Sequence, residues 1–62
     1  MTKRQARTLA ARIEREDPSC SAKVTGDGCV QMTDHRTGYT AIIRYPEQWD
    51  IRKADADEAE NA

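Results

Sequence analysis

Gly26-Asp27-Gly28 separates two short segments in which apolar and polar residues alternate. Alternation on both sides of a glycine-rich break is the signal of a β-hairpin. Phase decides its turn. The apolar positions are Ala22 and Val24 before the break, and Val30 and Met32 after it. Directly opposed residues of an antiparallel pair share a face. A two-residue Asp-Gly turn would set Val24 against Gln31 and put the two apolar sets on opposite faces. A three-residue loop over 26–28 sets Val24 opposite Val30 and Ala22 opposite Met32. A slip of one residue inverts every side chain, so the three-residue loop is expected, with Gly28 in the left-handed conformation of its bulge. The strands then cover residues 20–25 and 29–34.

Asp34-His35-Arg36-Thr37-Gly38 is a second hairpin signal, because Asp34 can bond its own backbone two residues on and Gly38 tolerates positive φ. A four-residue loop over 35–38 sets Asp34 against Tyr39, Met32 against Ala41 and Val30 against Ile43. A third strand over residues 39–45 is expected to turn Tyr39, Ala41, Ile43 and Tyr45 to the core and Ile42 away from it.

Residues 2–17 read as a helix. Ala6, Leu9, Ala10 and Ile13 fall on one helical face. Thr2 with Gln5 fits a capping box, and Pro18 forces the stop. Pro46 suits the first turn of a second helix or turn over 46–53, which docks Trp49. Trp49 and Ile51 lie about 200° apart on a helix, so one of them is expected to be less buried. Residues 54–62 hold four acids, no base and no large apolar group. Such a composition reads as a disordered acidic tail. The expectation is a single α+β domain over residues 1–53: an N-terminal helix on a three-stranded antiparallel sheet, in the order α-β-β-β, with a short C-terminal helix or turn.

Composition limits what this domain can do. Leu, Ile, Val and Phe supply 7 of 62 residues, and domains this short have little core to spare. A buried substrate pocket would remove apolar volume the fold needs. No catalytic, cofactor or metal residues are assigned, the domain is read as non-enzymatic, and no concave pocket with perturbed titrating groups is expected. There is no apolar run long enough to cross a membrane and no secretory signal, so the expected location is cytoplasmic.

Cys20 and Cys29 lie at opposite ends of the first hairpin, about 20 Å apart along the strands. That distance excludes a disulfide, and their spacing is not that of a zinc site. Cys20 is expected in the core and Cys29 on the outer face beside Arg44. His35 is expected to be a solvated turn residue, out of reach of a Cys–His pair.

The charge layout is anomalous. Formal net charge is −1, yet residues 1–54 sum to +3 and the tail to −4. Lys3, Arg4 and Arg7 crowd the N-terminal half of the first helix, while Glu16 and Asp17 stand at its C-terminus. The helix dipole disfavours both placements, and local rules are most often broken at functional sites. Lys3, Arg4, Arg7 and Arg15 are therefore the candidate contacts to an acidic protein surface or to phosphates. Ile42, exposed on the outer sheet face, is the candidate for self-association. The expected role is binding to a protein or to a second copy. Weak nucleic-acid binding through the basic helix, with the tail as competitor, is the alternative. The outer face carries no aromatic on which bases could stack, which counts against the alternative.

The order helix, three antiparallel strands, helix resembles in outline the double-stranded-RNA-binding domain. Such a domain has a lysine-rich start to its last helix, where this chain has Pro46-Glu47-Gln48-Trp49-Asp50. Membership is not inferred.

Overall fold

A computed structural model describes the backbone of residues 1–61 and the side chains of residues 1–54. The order is α1 (Lys3–Glu16), β1 (Cys20–Val24), β2 (Val30–Asp34), β3 (Tyr39–Ile43) and α2 (Pro46–Asn61). The strands form one antiparallel sheet in the order β1-β2-β3.

Thr2 caps α1, and the capping box with Gln5 is formed in both directions, at 3.1 and 2.8 Å. The helix buries Ala6, Leu9, Ala10 and Ile13. Both registers are those that phase requires, with Val24 opposite Val30, Ala22 opposite Met32, Met32 opposite Ala41 and Val30 opposite Ile43. The first turn closes where Thr25 N–H donates to the Cys29 carbonyl at 2.8 Å, with Gly28 at φ +82°. The second closes where Gly38 N–H donates to the Asp34 carbonyl at 2.7 Å, with Gly38 at φ +77°. Asp34 Oδ1 accepts the Arg36 N–H, two residues on, at 2.9 Å.

The α1 stripe covers Val30, Met32 and Ile43, and Cys20 and Trp49 complete the core. Trp49 is buried and Ile51 is exposed, as helical spacing requires. Tyr45 precedes α2, and the Gln48 side chain accepts its N–H at 3.0 Å. This reach-back from the third helical position is half of a capping box.

Three expectations change. The strands are shorter than anticipated, ending at Val24 and Ile43 and beginning at Val30. α2 runs well past residue 53, through a stretch rich in alanine and glutamate, both strong helix formers. The disordered tail anticipated over 54–62 falls, apart from Ala54, on residues whose side chains lie outside the described set. The third change concerns the tyrosines: Tyr39 is 53% and Tyr45 60% exposed. Phase sets the face of Tyr39, but the α1 stripe ends before that corner of the sheet. Arg52 of α2 reaches it, 4.9 Å above the ring.

Candidate interaction surface

The outward side of α1 is defined by its buried side. At about 100° per residue, Arg4 and Arg15 project opposite the stripe of Ala6, Leu9, Ala10 and Ile13, with Arg7 about 60° away. Lys3 stands in the first turn, beside Gly28 of the hairpin loop. All four side chains are exposed. Among the described residues none of the four enters an ion pair, whereas Arg12, Arg36 and Lys53 all do. The structure thus sets Arg4, Arg7 and Arg15 on the outer side of α1 and Lys3 on its flank beside the hairpin loop, all four exposed.

The acidic end of α1 has a different explanation. Glu16 Oε1 accepts the Trp49 indole N–H and the Lys53 ammonium, both at 2.8 Å. Its Oε2 accepts from Arg12 Nε at 3.1 Å, and Arg12 also pairs with Asp50. Bonds from Lys53, Trp49 and Arg12 hold the Glu16 carboxyl down at about 2, against an ordinary 4.5. Asp17 accepts from Ser19 N–H at 3.0 Å, from the Cys20 thiol at 3.4 Å and from Arg36 at 3.2 Å. These two acids sit against the helix dipole because they tie α1 to α2 and to the sheet. Among the described residues no ion pair of that kind accounts for the bases at the other end.

The path of α2 bears on the tail. Pro46 lies beside Arg4, Thr8 and Leu9, and Lys53 reaches Glu16. α2 thus advances along α1 in the same sense and leaves the Lys3 end behind.

The expectation of no pocket with shifted groups is corrected. A shallow cavity of about 150 Å³ lies between the sheet and α2, lined by Asp17, Cys20, Asp34, Arg36, Trp49 and Lys53 among others. Arg36, paired with Asp17 at the end of α1 and with Asp34 of β2, forms one wall, and Trp49 and Lys53 of α2 form the other. Burial, then the bond to Asp17, pushes the Cys20 thiol up to about 11, the opposite of what a nucleophile needs. Arg36 holds Asp34 below its ordinary value. Cys20 and Cys29 are both free. His35 is exposed in its turn, with Nε2 2.9 Å from Ser21 Oγ. Among the described residues no cluster of His, Cys, Asp or Glu could hold a metal ion.

The outer sheet face holds exposed Ile42, as phase requires. The exposed tyrosines weaken the objection to base stacking. They stand about 20 Å apart along the strand, and Arg52 covers one of them. The sequence reading missed exposed Tyr45, whose neighbour Pro46 lines a groove together with Arg4.

No family model, no curated protein and no solved structure matches this chain. Among the described residues no helix is long and apolar enough to cross a membrane.

Proposed function

We propose that this is a cytoplasmic binding module without catalytic activity, which engages an acidic protein surface through Lys3, Arg4, Arg7 and Arg15. The observation that carries the reading is the contrast in charge pairing along α1. Arg12 and Glu16 serve the fold, while Lys3, Arg4 and Arg7 stand exposed against the dipole at its N-terminal end and Arg15 is exposed in its last turn. A partner carboxylate there would gain charge-assisted hydrogen bonds and favourable steering.

The second reading is nucleic-acid binding, supported by exposed Tyr45, whose neighbour Pro46 lines a groove together with Arg4. Phosphate neutralisation beside an aromatic platform is how single strands are held. Two probes separate the readings: a polyglutamate peptide and a single-stranded oligonucleotide, titrated by anisotropy at low salt. The proposal expects the peptide to bind, the Arg4→Glu/Arg7→Glu/Arg15→Glu variant to lose it, and Tyr45→Ala to leave it unchanged. Oligonucleotide binding that Tyr45→Ala weakens about tenfold, with no peptide binding, replaces it with the second reading. No binding of either probe removes both.

A further inference from the structure

The two edges of the sheet are not equivalent. In the first hairpin Thr25 bonds Cys29, and His35 bonds Ser19 at 2.9 Å. Bonded pairs alternate along an antiparallel ladder, so Ser21 and Lys23 face β2, and the backbone of Ala22 faces outward on β1. That outward N–H is occupied: Glu14 Oε2 of α1 accepts it at 3.1 Å. The exposed Lys23 side chain adds a charge to the same edge.

The same alternation across β2 sends Val30, Met32 and Asp34 toward β3. It leaves the N–H and C=O groups of Thr40 and Ile42 on the outer edge of β3. Among the described residues no bond from outside the ladder reaches them. The strand reads Tyr-Thr-Ala-Ile-Ile, with no charge, proline or bulge. These are the devices by which sheets blunt an open edge. Three of the four exposed large apolar residues, Tyr39, Ile42 and Tyr45, lie on this strand or just beyond it.

We infer that the β3 edge pairs with the β3 edge of a second copy, joining the two sheets into one antiparallel sheet across a two-fold axis at Ala41. The register follows from the outward groups. Thr40 faces the second copy's Ile42 and Ile42 faces its Thr40, giving about four backbone hydrogen bonds. Ala41 faces itself at the axis in a non-bonded pair, where its small side chain allows close approach. On the α1 side, Tyr39 comes opposite the second copy's Ile43 and diagonal to its Tyr45, a distance aromatic side chains span. The two tyrosines that a single chain leaves in solvent thus cover each other. Arg44 falls opposite Gly38, so no like charges meet. A foreign strand would satisfy the backbone equally, but only a second copy returns Tyr45 to Tyr39. This surface is separate from the basic side of α1, and either inference can fail alone.

Sedimentation of the full chain from micromolar to millimolar concentration is the test. Monomer giving way to dimer is expected, and a monomer throughout overturns the inference. Ile42→Pro removes an outward N–H without touching the ladder to β2. Thr40→Lys places a charge on the edge. Each should weaken the dimer about tenfold or more while circular dichroism stays native, and a dimer indifferent to both overturns the inference. Should both variants unfold, Ala41→Cys in a Cys29→Ser background decides the matter. Its two thiols at the axis lie within disulfide reach and should cross-link on oxidation, whereas a chain that stays uncross-linked overturns the proposed register.

Discussion

Trp49 donates its indole N–H to the Glu16 carboxylate at 2.8 Å, across 33 residues of sequence. Lys53 reaches the same oxygen from one turn further along α2. The contact joins the buried residue among the described side chains of α2 to the last residue of α1. A carboxylate that helix electrostatics disfavours thereby becomes the anchor of the second helix.

Removing that anchor is expected to be severe. Trp49→Ala should cost about 3–5 kcal/mol through lost burial and the cavity left behind, comparable with all the stability a core this small supplies. The variant should be largely unfolded at room temperature by circular dichroism. Trp49→Phe keeps most of the burial and loses the indole bond, so its urea midpoint should fall between the two. A native midpoint for Trp49→Ala would show that α2 does not support the core.

Acid should loosen the fold. The unfolded chain takes up a proton at Glu16 near 4.5, and the folded chain only near 2. Between those values the unfolded state binds more protons, so stability present above pH 4.5 is lost as pH falls toward 2. Asp34, held low first by Arg36, and Asp27, held low first by the Thr25 hydroxyl, act in the same direction. Denaturant midpoints measured from pH 6 to pH 2 should fall for the native chain, and fall less for Glu16→Gln. Equal acid limbs would remove Glu16 from this role.

The Cys20 thiol has the reverse dependence. Its value rises from 9.0 to about 11 on folding, so it stabilises the fold below pH 9 and loses that contribution as pH climbs toward 11. At pH 8 a maleimide should label the half-buried Cys29 and leave Cys20 untouched until denaturant is added. Mass spectrometry of the labelled peptides distinguishes the two. Rapid labelling of Cys20 in the folded chain would contradict its burial.

The three glycines should separate by backbone conformation. Gly28 and Gly38 have φ +82° and +77°, and a side chain at either meets only ordinary contacts or open space. Their alanine variants should each cost about 1–2 kcal/mol from the left-handed backbone alone. Gly26 has no such conformation and open space around it, so Gly26→Ala should be neutral or slightly stabilising. Thermal midpoints of the three variants check the ranking.

Much of this architecture was legible before the structure. The choice of a three-residue turn over a two-residue one followed from the faces of Val24 and Val30 and set the β1–β2 pairing, and the four-residue loop over 35–38 set the β2–β3 pairing. Burial was less legible. Alternation assigns Tyr39 to the α1 side of the sheet but carries no information on how far the α1 stripe extends, and the stripe ends short of that corner. The Glu16 anchor was invisible because its partners lie far away in sequence. The one available signal was a buried indole in need of an acceptor. For the bases of α1 the dipole conflict was readable, but only the tertiary bonds of Glu16 and Asp17 reveal which half of the conflict belongs to the fold.

The Glu14 side chain on the Ala22 N–H also determines how assemblies of this chain can grow. Filaments built by strand addition need two sticky margins per subunit, one to accept and one to donate. Here the Ala22 N–H of the β1 margin is bonded from within the same molecule, which leaves β3 as the more open margin of each chain. On the proposed β3 pairing, a subunit with one open margin terminates whatever it joins, so assembly is expected to stop at two copies. Glu14→Ala would open the second margin, and the expected product is an insoluble polymer in place of a discrete particle.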